Sequence, residues 1–386
     1  MLPVETNASN VINFYDNAAR STASNSLEYR RQTRIVHLRN FNNWTKSMLI
    51  GVYLEAARER FGRDCRLRVF DLCCGKGGDQ MKWAQGHVDY VMFLDISCES
   101  VRACKQRYEQ LQRKRPRLYS ADFHVCDCTA DLSDNVLRDR KFHLVSCQFS
   151  LHYAFESLPK ALQFFKNVSC CLRPGGFFIA TIPNAYEIVR RAKEAYAASN
   201  IPEQQSENDV TFGNSIYSIR FRSGSFSKLV EDPVNADSPT GVSELIQFPL
   251  LGARYDFHLE GVVDCPEFLI YPPLLNELAS AHGLVPVSPP LSFAAFFHES
   301  VCRSRGIERP LDLLIRMNAL ETWKNPRMSY PENFKQVASD EPKAYAHAEQ
   351  RVNEDEACRH SKFLGTISQA EWEVINLYSV VAFRRA

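Results

Sequence analysis

Residues 70–80 read FDLCCGKGGDQ and close a short apolar run that begins at Leu67. Leu67 to Leu72 is rich in β-favouring residues, glycines follow at 75, 77 and 78, and a helical pattern then runs through Trp83. That succession predicts a strand, a tight turn and a helix. Glycine is used where backbone must approach a ligand closely enough that a side chain would collide. The stretch therefore reads as a βα unit with a ligand-binding turn.

The same rhythm continues downstream. Val88 to Ile96 reads as a second strand with Asp95 near its end, Glu99 to Arg113 as a helix, Ala121 to Cys126 as a third strand ending at Asp127, and Phe142 to Cys147 as a fourth. Leu158 to Leu172 is an amphipathic helix stopped by Arg173-Pro174-Gly175-Gly176, and Phe177 to Ile182 is a fifth strand. Alternating strands and helices predict an α/β, doubly wound, mostly parallel sheet whose ligand lies at the carboxyl ends of the strands. Upstream, Phe41, Trp44, Met48, Leu49, Val52 and Tyr53 recur at helical spacing until Gly62. After Pro183 come a helix through Tyr196, a polar stretch from Pro202 to Asn208, and strand character at Ile216 to Phe221 and Leu245 to Phe257, which predict a lobe over the sheet. A helix from Glu267 to His282 and a strand from Tyr378 to Phe383 complete the core around a charged, helical excursion near Leu311 to Arg359.

With 386 residues and 45% hydrophobic side chains the chain can bury a large core, and its 46 basic against 45 acidic residues exclude a protein that coats nucleic acid through bulk charge. Any phosphate contact has to be local. The start of the chain has no secretory pattern and no apolar run is long enough for a bilayer, so the expectation is a soluble, intracellular protein with no membrane partner. Thirteen cysteines in such a chain are expected as reduced thiols, and the lack of any Cys-x-x-Cys argues against a zinc site.

The turn's chemistry narrows the ligand. A P-loop needs Lys-Ser/Thr after its last glycine, whereas Lys76 precedes Gly77-Gly78-Asp79; a dinucleotide fingerprint needs a glycine where Cys73 stands. S-adenosylmethionine (SAM), which carries no phosphate, fits better. Asp95 is placed to accept from both ribose hydroxyls and Asp127 from the adenine amine.

These residues resemble the eukaryotic mRNA cap guanine-N7 methyltransferases, from about Tyr15 to Phe383. The resemblance is carried by Arg39-Asn40-Phe41-Asn42-Asn43-Trp44 with Lys46, the turn DLCCGKGGD, Gln148 with His152-Tyr153, Tyr255-Asp256-Phe257 through Glu260-Gly261-Val262-Val263-Asp264-Cys265-Pro266-Glu267, and Glu371-Trp372-Glu373. It implies a class I SAM-dependent methyltransferase fold with seven strands and an inserted lobe. One domain is expected over 1–386: a cap-contact segment at 1–61, a SAM core at 62–183, the lobe at 184–260 and a completing segment at 261–386. It implies that Lys46, Asp71, Cys73, Gly75, Asp95, Asp127, Gln148 and Tyr153 hold the cofactor, and that Asn42, Asn43, Lys76, Lys82, Arg107, His152, Glu267 and Tyr378 hold the cap. It also implies a capped (GpppN) mRNA substrate, a nuclear location, capping-machinery or activating partners, and no metal.

The residue chemistry runs alongside. Lys76, Lys82 and Arg107 are expected to face one mouth and neutralise a triphosphate. His152 offers a donor to a guanine oxygen, and Tyr153 an aromatic wall. His152 is not needed as a base, because guanine N7 has no proton to lose. Glu267 is expected to accept from guanine's Watson-Crick edge and to sit near a helix start, helped by the helix dipole. Two rivals are a SAM methyltransferase for another RNA position or a small metabolite, and an inactive cap-binding module; the first has no need of the three cations or Glu267, and the second has no need of Asp95 and Asp127. The run Arg113-Lys114-Arg115-Pro116-Arg117 reads as an exposed helix end before it reads as a nuclear address. Because Cys73 stands at a turn position where glycine is usual, Cys73→Gly is expected to bind SAM more tightly in a calorimetric titration; unchanged or weaker binding would refute this.

Overall fold

A computed structural model describes residues 7–21, 33–199, 209–229, 245–302, 310–324, 344–360 and 363–386. The polar stretch at Pro202 to Asn208 and the middle of the expected excursion, 325–343, lie outside these residues. The strands are β1 (Arg68–Leu72), β2 (Tyr90–Asp95), β3 (Ser120–Val125), β4 (Phe142–Gln148), β5 (Leu172–Pro183), β6 (Val210–Gly213), β7 (Tyr217–Phe221), β8 (Ser227–Leu229), β9 (Leu245–Gln247), β10 (Arg254–Leu259), β11 (Val263–Phe268), β12 (Leu284–Pro286), β13 (Leu291–Ser292), β14 (Glu321–Lys324), β15 (Phe363–Thr366) and β16 (Tyr378–Arg385). The helices used below are α1 (Asn7–Ser21), α2 (Val36–Phe61), α3 (Gln80–Gln85), α4 (Cys98–Lys114), α5 (Leu158–Cys171), α6 (Ala185–Ala198) and α7 (Pro272–Ser280).

The central sheet runs β12-β16-β5-β4-β1-β2-β3, with β13 added beside β16. β1 to β5 are parallel; β16 is antiparallel to β5 and β12 antiparallel to β16. This is the expected doubly wound, mostly parallel sheet of seven strands, to which the two-residue β13 is a small addition. Strand order reverses between β1 and β4, so the loops leaving their carboxyl ends splay apart and open a crevice, the place where such sheets bind ligands. Alternate residues of β1 serve opposite faces: Val69 packs with α2, α4 and the lobe, whereas Phe70 and Leu72 pack with α5 and α7. A second, antiparallel sheet, β11-β10-β7-β6, forms the lobe and reaches Phe268, beyond the boundary expected at 260.

Two expectations are corrected. Glu267 does not open a helix: it belongs to β11, paired with Tyr255 across the hairpin, and the helix begins only at Pro272. The proline pair at 272 and 273 starts the helix late, since proline suits a first turn whose N–H groups have no partner anyway. Arg173-Pro174-Gly175-Gly176 is not a break before β5 but lies inside it. The β4–β5 register slips between Phe142 and Leu144, and Gly175 takes φ +80° where any Cβ would run into the Arg60 guanidinium.

Helix α2 positions much of the site, and the end of the chain fastens it. Its buried stripe, Leu38, Phe41, Trp44, Thr45, Leu49, Leu54 and Ala57, recurs at helical spacing. Trp44 Nε1 donates to the Pro310 carbonyl at 2.9 Å, and Phe41 meets the Trp372 ring edge-on. Leu38 N–H, at the uncapped start of α2, donates to Glu371 Oε1 at 3.0 Å, and Ser368 Oγ donates to Glu371 Oε2 at 2.7 Å. Glu371 is buried, so its removal leaves the Leu38 N–H and the Ser368 hydroxyl proton without acceptors. Glu371→Ala is expected to lower folding stability by about 1–3 kcal/mol, and Glu371→Gln by less. The chemical-denaturation midpoint reads this, and an unshifted midpoint for the alanine variant would contradict the fastening role.

Candidate functional site

The glycine turn is shaped by backbone need. Cys73 takes φ +56° and Gly75 φ +51°, both left-handed, with open space around Gly75. A non-glycine residue in that region carries about 1–2 kcal/mol of strain. At Gly77, φ +71°, a Cβ would strike Gln80 Nε2 and Cys104 Sγ, so only glycine fits. The Asp95 carboxylate fastens the turn from β2: its Oδ2 accepts from Gly75 N–H at 2.8 Å and its Oδ1 from Ser97 N–H at 2.9 Å. Burial raises its pKa against the opposing pull of those N–H donors. Each oxygen keeps a lone pair for a further donor.

Beneath the turn lies a buried ionic cluster. The Asp79 carboxylate sits 2.8 Å from both Lys46 Nζ and Lys82 Nζ. Burial would raise its pKa, but the two ammoniums hold it well below the usual carboxylate range. Burial pushes the Lys82 pKa down. Asp71 accepts from Trp83 Nε1 at 3.0 Å, and burial, aided by Asp79, lifts its carboxyl to about 8. With Asp71 protonated, two ammoniums face one carboxylate, and the surplus positive charge under the turn suits an anionic ligand group.

Lys82 thus departs from the expected trio of phosphate cations. Its ammonium is buried, paired with Asp79 and bonded to Asn43 Oδ1, so its charge is already neutralised. Lys76 donates to the Ala18 carbonyl of α1 at 2.7 Å, and Arg107 is half-buried on α4. Of the asparagine pair, Asn43 is committed to Lys82, whereas Asn42 Oδ1 is buried without a hydrogen-bond partner among the described residues.

At the ends of β4 and β11 the site is almost dry. Gln148 donates to Ser146 Oγ at 3.0 Å, but its Oε1 is buried with no hydrogen-bond partner among the described residues. Both ring nitrogens of His152 are buried without a hydrogen bond among the described residues, and burial pulls its pKa down to about 3. Glu267 accepts from Tyr255 Oη at 2.8 Å, and burial raises its carboxyl to about 8. His152 Nε2 lies 3.5 Å from Glu267 Oε1. Distance alone would make them an ion pair, yet burial moves both toward their neutral forms, and that is the state this pocket favours. Tyr378 is buried beside Phe149, ring centroids 5.0 Å apart, and Phe149 is held at φ +59° by bonds from its N–H to Thr181. Asp127, two residues beyond β3, accepts from Thr129 N–H and Oγ1 through Oδ1, at 2.8 Å each, and its other oxygen has no partner among the described residues.

Several site residues escape the sequence reading. Helix α1 lies over the crevice: Tyr15 Oη and Tyr153 Oη are 3.1 Å apart, and Asp16 Oδ1 accepts from Ser97 Oγ at 2.5 Å. Tyr255 and Phe149 were not singled out as site residues either. Tyr255 had a signal, its place within the quoted run ending at Glu267; α1 had only its amphipathic spacing. The described cysteines are free thiols, with Cys73 Sγ 3.5 Å from Cys128 Sγ. Among the described residues no helix is long and apolar enough to cross a membrane.

The residues fit SAM. Gln148 Oε1, at the end of β4, is buried without a hydrogen-bond partner among the described residues, Asp95 and Asp127 keep acceptor capacity, and the cluster under the turn carries a cationic surplus for a carboxylate.

The family described as mRNA (guanine-N(7))-methyltransferase domain matches residues 4–386. The chain is similar to the mRNA cap guanine-N(7) methyltransferase of Drosophila melanogaster, 37% identical over 92% of this chain and 73% of that one. A Caenorhabditis elegans protein of the same name is 33% identical over 93% of this chain and 83% of its own. The mRNA cap guanine-N(7) methyltransferase 1 of Oryza sativa subsp. japonica is 33% identical, covering 83% of this chain and 76% of its own.

The raised carboxyl of Glu267 has a consequence for stability. The folded protein keeps this proton up to about pH 8, whereas the unfolded chain releases it near the ordinary value of 4.5. Stability attached to the group is therefore full below about pH 4.5 and falls as pH rises toward 8, by at most about 1.4 kcal/mol per pH unit. Glu267→Gln removes the titration, so its stability relative to the parent chain is expected to climb between pH 5 and 8. Denaturation midpoints that stay parallel across that range would show that Glu267 is ionised throughout.

Proposed function

The chain belongs to the mRNA cap guanine-N7 methyltransferase family, and from that premise we propose that it transfers a methyl group from SAM to N7 of the guanine in a 5′ GpppN cap. The observation that carries the reading is a set of buried polar atoms without hydrogen-bond partners among the described residues: Gln148 Oε1 at the end of β4, the His152 ring nitrogens just beyond it beside Glu267, and Asn42 Oδ1 in the second turn of α2. Water-excluded polar groups are costly unless a ligand satisfies them.

SAM, when bound, supplies an electrophilic methyl on a sulfonium. Lys46 and the surplus charge under the turn receive its carboxylate, Gly75 and Cys73 line it through backbone, and Gln148 and Tyr153 flank its methionine end. Asp71 supports the turn from below, Asp95 accepts from the ribose and Asp127 from the adenine. On the cap side, His152, neutral down to about pH 3, donates one ring N–H to guanine without competing for a proton. Donors on the guanine edge stabilise ionised Glu267, so cap binding converts its buried carboxyl into a carboxylate and releases a proton. That negative charge then favours the base that becomes cationic on methylation. Asn42 and Tyr378 close the guanine pocket, and Lys76 and Arg107 are left to meet the triphosphate, with Lys76 leaving Ala18 to do so. Asn43 and Lys82 act through one another rather than on phosphate.

In-line displacement by N7 needs no general base, because its lone pair is free. The enzyme's contribution is alignment of two bound reactants in a dry site, and displacement of either is expected to cost on the order of 10²-fold. The rival of an inactive cap-binding module is disfavoured by Asp95, Asp127 and the charged cluster, none of which a cap alone requires. A nuclear location is part of the same proposal.

Incubation with methyl-labelled SAM and GpppG-capped, ApppG-capped or 5′-triphosphate RNA, followed by digestion, tests the reading. Label is expected only at N7 of the cap guanine; label at any other position, or none, would overturn it. In parallel, Glu267→Ala is expected to raise the KM for cap and Asp95→Ala the KM for SAM, each lowering kcat/KM by about 10²-fold.

A further inference from the structure

The edge of the sheet opposite the crevice carries a feature that cap methylation does not use. Here the parallel strands begin, and their approaches are basic. Residues 113–117, RKRPR, precede β3; Arg66 precedes β1; Lys141 precedes β4; and Arg173 opens β5. β16 runs the other way and brings Arg384 to the same edge. All of these are exposed, and Arg66, Arg115, Arg117, Arg173 and Arg384 have no side-chain partner among the described residues. Only Asp64, Asp89 and Asp139 oppose them from the same loops. In a chain of net charge +1 this is a marked local asymmetry. Between the starts of β2 and β3, His87, Arg115, Arg117 and Tyr119 line an open cavity of about 700 Å³, room enough for a nucleotide.

The cations are strung in a line, not gathered in a pocket. From β16 to β3 the rim crosses five strand spacings of ~4.8 Å, about 24 Å in all. A line of guanidiniums at that pitch suits a linear polyanion with regularly repeated phosphates. We propose that this rim binds the single-stranded body of the RNA substrate, downstream of the cap. The proposal rests on the cap-methylating reading for the identity of the polyanion. The seven residues of β4, at ~3.3 Å each, separate crevice and rim by about 23 Å. At ~3.4 Å per stacked nucleotide, a backbone running around the outside of the core needs at least about seven nucleotides to reach the rim.

The test uses the full chain and a variant combining Arg66→Glu, Arg115→Glu, Arg117→Glu and Arg173→Glu. Turnover of GpppG is expected to stay within about two-fold of the parent, which also shows that the variant folds. Affinity for a 25-nucleotide RNA, capped or uncapped, is expected to drop roughly ten-fold or more at low salt, and the slope of log affinity against log salt to fall by about 3, near 0.7 for each lost phosphate contact. Unchanged affinity and slope would overturn the proposal. So would displacement of the RNA by a glutamate-rich peptide at matched charge, which would assign the rim to an acidic protein. Should the variant not fold, photocrosslinking of the parent chain to RNAs carrying 4-thiouridine at successive positions decides: crosslinks to residues 113–119 from about the seventh nucleotide onward support the rim, and their absence at every position refutes it. If the parent chain fails to methylate GpppG, the cap reading falls, while RNA binding still scores the rim separately.

Discussion

One carboxylate, Asp79, holds the site together by standing between the buried ammonium of Lys82 and the half-buried ammonium of Lys46. Lys46 comes from α2 and Lys82 from α3, so the ion cluster ties the long N-terminal helix to the glycine turn of the central sheet. Breaking a buried pair leaves an unpaired charge and is strongly destabilising, about 3–5 kcal/mol, even where the intact pair adds little net stability. Its value is therefore positional. Asn43 is fixed by Lys82, Asn42 is presented beside it, and the cationic surplus is aimed at the turn.

The other half of the site is governed by dehydration. His152 and Glu267 are both nearly inaccessible and both shifted toward neutrality, His152 to about 3 and Glu267 to about 8. A pocket of neutral polar groups with unfilled hydrogen-bonding capacity is an unstable arrangement for a folded protein, and it becomes a favourable one when a base with complementary donors and acceptors enters. Selectivity for guanine and affinity for its cationic methylated form then share one origin, the charge that Glu267 regains on binding.

The core sheet was legible because each strand is an apolar run of ordinary length and the glycine turn is unmistakable; β1 to β5 and β16 fall within a few residues of expectation, apart from the longer β5. Misreadings occurred where local signals compete. Pro272 and Pro273 delayed a helix expected from Glu267, and the glycines after Arg173 mark a bulge where a break was expected. Within the site, Asp95 and Asp127 were marked by strand ends, whereas Asp71 and Gln148 came only with the family resemblance. The pairing of Lys82 was not legible, since a lysine on an amphipathic helix gives no sign that an aspartate three residues earlier will bury it. Tyr15 and Asp16 were equally silent, because nothing in sequence places α1 over the crevice. Phe41, Trp44, Glu371 and Trp372, which helped carry the family resemblance, serve to pack and fasten α2.

A crystal structure of the chain with S-adenosylhomocysteine and GpppG tests the account most directly. It should place the guanine's Watson-Crick edge on Glu267, a His152 nitrogen against the base, N7 facing the cofactor sulfur, and Lys82 still paired with Asp79. A dinucleotide bound elsewhere, or a Lys82 ammonium on the triphosphate, would contradict it.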